Sequence, residues 1–442
     1  MNQPIAAPEP RAKCARRRLV PALGCLALSF AVACAPIERR PRRAIAPTPQ
    51  ATVPKGTSWL SKNARGELVL PRQVDIHLTG LDGSERLEVT DSSGRARVIT
   101  LQGGELALNR QVELPGPVMI DGHRHDGVLS VSLDTKGSMV ASVRLPLEVY
   151  IAGVVAAELP IWSAEPAELE AQAIAARTFA AAAIAKRRKD GEPARLTDGV
   201  LDQAYRGTYD GGRSKGAAAV AAKLRGAIGR TAGLVVVRGD RLEETRYHAA
   251  CGGYTASFAD VFAGEVQRYD ARGPGGRPCA SCLTRAKAEQ AQGGPAAERP
   301  LSWVVTLDEQ ALARLGQTFQ LGGPLRQIQA ARTDAAGRWL EARVASGVPG
   351  SQPVTVRFDD VRRALGYGRL KSAMLDALAP AAGEAIPKGA ALRIQGRGRG
   401  HGVGLCQEGS RDYARSGLTA EEILQHYYPG TEIRRIKPSE TP

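Results

Sequence analysis

The sequence predicts an α+β protein: a β-rich N-terminal region, residues 61–143, followed by a larger domain of mixed helices and antiparallel strands, residues 144–435. Three observations carry that reading. Between Leu68 and Arg144 apolar and polar residues alternate and turn dipeptides recur, as in half-buried strands joined by hairpins. From Leu145 the apolar spacing changes to the three- and four-residue steps of helices, in Ala-rich segments. Further on, short apolar runs such as Gly233 to Val237 and Trp303 to Leu307 read as strands among those helices.

The first 34 residues read as an export signal. Arg11, Lys13 and Arg16 to Arg18 form a positive n-region, and Leu19 to Ala33 an apolar h-region too short for a comfortable membrane span. It ends Ala31-Val32-Ala33-Cys34. Small residues before a Cys resemble the lipobox of bacterial lipoproteins, in which that Cys becomes the lipidated first residue; the Leu usual three places earlier is Ala31 here. A cleaved secretory signal and an uncleaved anchor are the alternatives. The expectation is an exported protein of the periplasm or cell surface, tied to the membrane through lipid on Cys34. Residues 35–60, rich in Pro and Arg with almost no large apolar side chains, read as a disordered tether.

In the β-rich region Val74, Ile76 and Leu78 alternate, as do Leu87 and Val89, Val98 and Thr100, and Leu129, Val131 and Leu133. Turns fall at Asp82-Gly83, Ser93-Gly94, Gly103-Gly104 and Lys136-Gly137. His123 and His125 lie in Asp-Gly-His-Arg-His-Asp-Gly. No Cys is near them, so they read as a solvated loop rather than a metal pair.

A helix through Val149, Ile151, Val154 and Val155 follows, stopped by Pro160, which lacks an N–H and biases the preceding residue away from helical angles. Ser163 can cap a second helix, with Pro166 in its first turn and Ala171, Ile174, Ala175 and Thr178 along it. Glu158 is the odd residue. It ends an apolar run in the last helical turn, where the helix dipole disfavours negative charge. Buried there, a carboxyl has the raised pKa that a general acid needs. A surface glutamate at a helix end is the competing reading.

Further along, Ser214 to Thr231 reads as an Ala-rich helix, Ala286 to Arg299 as a surface excursion, and Ile328 to Arg332 and Val354 to Phe358 as strands. Phe358 to Leu365 and Ala420 to Tyr427 read as helices. The glycines between Gly396 and Gly404 are too many for a regular strand, so the backbone turns sharply or approaches something closely there. His401, set among them, reads as a polar group lining a cleft, with a satisfied structural histidine as the alternative.

Composition narrows the function. A net charge of +15 points to an acidic partner. Nucleic acid is not expected, because no major-groove zinc finger, RNP-like strand or P-loop accompanies the charge. His248 and Cys251 are three apart, as are Cys279 and Cys282, which gives four ligands with zinc-knuckle spacing. In an exported protein disulfides compete with that reading. Four cysteines remain beyond the signal (Cys251, Cys279, Cys282 and Cys406), and four allow three connectivities. His248 favours zinc, since a disulfide would not require it.

Four segments in order together resemble one family. They are Gly-Val-Val-Ala-Ala-Glu-Leu-Pro ending at Pro160 with the helix to Ala180, Asp202-Gln203-x-Tyr205-x-Gly207, the cluster Tyr247 to Thr255 with its downstream Cys-x-x-Cys, and Gly398 to Gly409 with the stretch to Thr431. The chain resembles the stage II sporulation protein D (SpoIID) family, which also contains the LytB amidase-enhancer proteins. The resemblance implies peptidoglycan as substrate. Sporulation members are lytic transglycosylases that cut glycan strands stripped of stem peptides, and their catalytic Glu lies in the segment matching Glu158. It also implies a zinc site using His248 and Cys251; Cys279 and Cys282 complete it by spacing. Such a site is structural, because four protein ligands leave no open position for a nucleophilic water.

One acid suffices for this chemistry, whereas an ordinary glycosidase needs two carboxylates. Gln172, Arg177, Gln203, Tyr205, His401 and Gln407 are candidates to line a groove for sugar hydroxyls and N-acetyl groups. Two other functions compete: a noncatalytic peptidoglycan-binding protein that recruits or enhances a cell-wall amidase, and a zinc hydrolase using His248, His401 and a carboxylate.

Overall fold

A computed structural model describes residues 68–101, 106, 111–199, 201–211, 216–262, 278–291 and 301–439. The expected signal with Cys34, the tether, the Gly103-Gly104 turn, the start of the helix expected from Ser214 and the end of the excursion expected to Arg299 lie outside the described residues. The architecture is α+β, with helices packed on largely antiparallel sheets.

The alternating segments become β1 (Gln73–His77), β2 (Arg86–Thr90), β3 (Ala96–Thr100), β4 (Gln111–Leu114), β5 (Val118–Ile120), β6 (His123–His125), β7 (Val128–Leu133) and β8 (Met139–Pro146). Two helices follow directly, α1 (Leu147–Glu158) and α2 (Pro166–Asp190), then β9 (Arg195–Thr197). Five strands form a sheet in the order β4-β7-β8-β1-β9, antiparallel except where β9 lies parallel to β1. The other four pair as β3-β2-β5-β6. Period two puts Val74 and Ile76 of β1, Leu129 and Val131 of β7 and Val143 and Leu145 of β8 into one core with Ile151, Val154 and Val155 of α1. The His123–His125 pair is a strand, not a solvated loop. His125 is buried with its ring against Tyr205, and burial pushes its imidazole down to about 4.

Helix α2 is the hub. Ala171, Ala173, Ala175, Ala176 and Ala180 are all fully buried, and side chains this small let several elements approach its backbone. It packs against α1, α3 (Ala217–Thr231), β10 (Leu234–Arg238), and two C-terminal helices. Its start differs from the sequence expectation. Glu165, not Ser163, is the N-cap, in a capping box with Glu168, and Pro166 follows it where a missing N–H costs nothing.

After β10 come β11 (Arg241–Leu242), β12 (Tyr247–His248), the short α4 (Phe258–Val261) and α5 (Ala280–Ala291), a helix where the expected excursion begins. Residues 302–397 then build a second core around Trp303, Leu312, Val344, Phe358 and Ile394. Its elements are β13 (Ser302–Leu307), α6 (Glu309–Thr318), β14 (Leu325–Thr333), β15 (Trp339–Ser346), β16 (Val354–Arg357), α7 (Phe358–Leu365), β17 (Met374–Ala379) and β18 (Leu392–Arg397). They form two antiparallel sheets, β13-β18-β17 and β14-β15-β16. The chain returns through the glycine-rich loop to β19 (Leu405–Cys406), α8 (Gln407–Arg415), α9 (Ala420–Tyr427) and β20 (Glu432–Arg435). Two pairings bring this end home: β19 lies parallel to β12, and β20 antiparallel to β10.

Candidate active site

Glu158 is the last residue of α1. Leu159 turns to extended angles and Pro160 cannot continue the helix, so the carboxyl stands at the helix end as expected. It borders a cavity of about 570 Å³ whose other walls come from the loop 198–206, from Arg246 to His248, from His401, and from Asp359, Arg362 and Tyr367 of the second core.

Three donors reach the carboxyl. The Ala204 N–H donates to Oε1 at 3.1 Å and the Gln407 side-chain amide to Oε2 at 3.2 Å. The Tyr247 side chain is the third. Gln203 decides which way the Tyr247 hydroxyl points. Its amide N–H donates to the Tyr247 oxygen at 2.9 Å, so the hydroxyl hydrogen is left for Glu158. Gln203 is itself held by the Tyr150 hydroxyl at 3.1 Å and by donating to the Ala176 carbonyl at 3.2 Å. The two influences on Glu158 oppose each other. Burial raises its carboxyl above the ordinary carboxylate range, the hydrogen bonds lower it, and burial wins.

The cavity holds three other carboxyl groups, each bound to neighbours. Asp198 accepts from the Thr79 N–H and hydroxyl, at 3.0 and 2.6 Å. Asp202 takes both oxygens to Arg187, at 2.8 and 2.9 Å. Asp359 accepts from Arg362 and from the Tyr367 hydroxyl.

Of the six residues expected to line a groove, His401 borders the cavity. Gln203 and Gln407 are buried and act behind Glu158, and Gln172 lies behind Gln407, 3.4 Å from its amide. Tyr205 is buried between Tyr150 and His125. Arg177 is fully buried and grips both oxygens of Glu148, at 2.9 and 2.6 Å, as well as the Leu234 carbonyl. These five are buried: Gln172 and Arg177 on the covered helix α2, Gln203 and Tyr205 in the segment packed against α1 and α2, and Gln407 at the start of α8. Tyr247, Arg206, Arg246 and Arg362 were not expected. Tyr247 could have been found as the residue preceding His248 in the same short strand.

The rings of His248 and His401 meet at a tilt of 59°, 5.6 Å between centres. Burial and nearby arginines keep both neutral, with His248 pushed down to about 4. The Val403 backbone sets their tautomers. Its carbonyl lies 3.2 Å from His248 Nδ1, which therefore carries the hydrogen, and its N–H donates to His401 Nδ1 at 3.0 Å, leaving the hydrogen on Nε2. That arrangement needs the glycines. Gly402 sits at φ +88°, and a Cβ there would stand 2.6 Å from the Arg338 guanidinium.

Among the described residues four cysteines lie together, three of them from the expected ligand set, with Cys406 in place of His248. Cys251, Cys279, Cys282 and Cys406 are buried, free, and have their sulfurs within 4.8 Å of one another. His248 is outside this group, because its ring is turned to His401 and the cavity. The four sulfurs converge as a zinc tetrahedron needs, with Zn–S bonds of about 2.3 Å and sulfurs about 4 Å apart. Cys406 also caps α8, its sulfur accepting from the Gly409 N–H at 3.4 Å. The next residue is Gln407, so the cysteine cluster and the donor to Glu158 are adjacent in the chain.

Comparison with known proteins agrees with the motif reading. Residues 135–237 match the SpoIID family model, described as "Stage II sporulation protein". Stage II sporulation protein D of Bacillus subtilis (strain 168) is 26% identical over 293 residues, 65% of this chain and 74% of that protein. The Bacillus amyloliquefaciens protein of the same name is 26% identical over 302 residues, again 65% and 74%. An uncharacterized protein of Brachyspira hyodysenteriae (strain ATCC 49526 / WA1) is 26% identical over 298 residues, 67% of this chain and 68% of its own. These matches support a SpoIID-family assignment.

Proposed function

From that assignment, we propose that the chain degrades cell wall as a peptidoglycan lytic transglycosylase. It cuts the MurNAc–GlcNAc bonds of peptide-stripped glycan strands and leaves 1,6-anhydro-MurNAc ends. The observation that carries this reading is a single carboxyl, Glu158, raised by burial at the edge of a sugar-sized cavity whose other carboxyls are held by partners. Protonated Glu158 gives its hydrogen to the leaving glycosidic oxygen. The resulting carboxylate takes the proton of the MurNAc 6-hydroxyl, and O6 bonds to C1 as the ring closes. The proton is returned to Glu158 and no water is consumed. Ala204, Gln407 and Tyr247 support the carboxylate between the two transfers.

Zinc, where bound, is held by Cys251, Cys279, Cys282 and Cys406 and fixes the fold around Gln407 without entering the reaction. The protein works outside the cytoplasm, tied to a membrane through Cys34, with peptidoglycan as its partner.

The test is mass spectrometry of soluble products from peptide-stripped and intact glycan strands, incubated with wild type and Glu158→Gln. Anhydro-MurNAc ends from wild type alone are expected. Reducing ends would mean that water is the nucleophile. No products, with wild type still binding glycan, would favour the amidase enhancer. Turnover that is lost on chelation of protein still folded would favour a zinc hydrolase.

A further inference from the structure

Among the described residues, each charged group of the cavity wall but one makes a hydrogen bond or ion pair. Its aspartates are bound as described above. Of its arginines, Arg246 pairs with Glu244 and lies over the Phe262 ring at 4.1 Å, and Arg362 pairs with Asp359 at 2.8 Å and donates to two carbonyls. Arg206 also borders the cavity, is exposed, and makes no hydrogen bond or ion pair among the described residues.

Its backbone is nevertheless fixed. From Gln203 to Gly207 the chain alternates, with Gln203, Tyr205 and Gly207 buried and Ala204 and Arg206 turned the other way. The Tyr205 ring is packed between Tyr150 and His125. Gly207 sits at φ +90° against the Arg124 backbone, where a side chain has no room. Ala204 holds Glu158 through its N–H, and two residues of extended chain span about 6.5 Å. Arg206 therefore starts at most about that far from Ala204, on the wall of the same cavity as Glu158, with no hydrogen bond or ion pair among the described residues.

We infer that Arg206 is a specificity-determining residue that binds a carboxylate on the sugar next to the cleaved bond: the free carboxylate of the 3-O-lactyl group of MurNAc. The inference rests on the proposed function and names what the site reads in its substrate. Where a stem peptide is attached, that carboxyl is an amide and carries no charge. Where the peptide has been removed, a planar carboxylate is available, and a guanidinium matches it with two parallel hydrogen bonds. Arg206 thus distinguishes the stripped strand from the peptide-bearing one.

The experiment compares two forms of one substrate: peptide-stripped glycan strands, and the same strands with their lactyl carboxyls converted to methylamides. Release of anhydro-MurNAc ends is measured for wild type, Arg206→Gln and Arg206→Lys. Wild type should prefer the carboxylate form about tenfold or more in kcat/KM. Arg206→Gln should cut both forms at one rate, and Arg206→Lys should keep part of the preference. Equal cutting of both forms by wild type, or an unchanged preference in Arg206→Gln, would overturn the inference. If wild type cuts neither form, the catalytic reading fails. Arg206 is then judged by the ratio of Kd values for the two forms, which should exceed about tenfold for wild type and collapse in Arg206→Gln.

Discussion

In the proposed reaction the carboxyl of Glu158 holds a proton at the start and accepts one at the end, so its donors would set the pH range in which it works. Burial raises it and three hydrogen bonds lower it. Since the acid form cuts, turnover should fall as pH rises through the raised value. Removing a donor destabilises the carboxylate and keeps the proton on to higher pH. Tyr247→Phe and Gln407→Leu should each move the alkaline limb of kcat upward by about one pH unit, the scale of one charge-assisted hydrogen bond. A profile that stays in place, or moves down, would contradict the assigned role of that donor. Arg177 gives the opposite kind of prediction. Arg177 is buried and does not line the cavity while its partner Glu148 is 37% exposed, so Arg177→Gln should cost about 1–2 kcal/mol of stability in a urea titration. The KM of the folded fraction should not change.

At the scale of elements, the glycine-rich loop positions both imidazoles. Gly402→Ala meets both a positive φ and the Arg338 guanidinium, and should lower stability by about 1–3 kcal/mol, read as an earlier denaturation midpoint. The strands and helices with strong periodicity were legible in the sequence. Phe358–Leu365 and Ala420–Tyr427 were bounded to the residue, and Pro160 gave the end of α1. The unusual placing of Glu158 was legible because a glutamate closing an apolar helix is out of place. The lining was not. Gln172, Gln203 and Gln407 looked like sugar ligands because they are polar and lie in motifs, yet burial turned them into supports for Glu158. Arg206, in the same segment, stands at a position the motif leaves open. Sequence periodicity tells which face of an element is apolar; it does not tell which polar groups are sealed behind others. The same holds for Cys406. Spacing selected His248, but the parallel pairing of β12 with β19 brings in a thiol from 155 residues away.

Over the whole molecule, that pairing sets a ligand test. Protein purified from the exported fraction should contain zinc. Cys406→Ser should lose it as Cys251→Ser does, and His248→Ala should retain it, all by metal analysis. Chelation should lower the Tm, while protein that remains folded continues to cut.

The bonds to Glu158 also say something about time. Ala204 reaches it across 46 residues of chain and Gln407 across 249. Closing such long loops is slow, and their reward comes only when the intervening core has formed. A refolding chain should therefore regain its far-ultraviolet dichroism well before its lytic activity, with the lag shortened by nothing that stabilises α1 alone. If it cuts cell wall as proposed, a protein built this way would be harmless throughout its own folding.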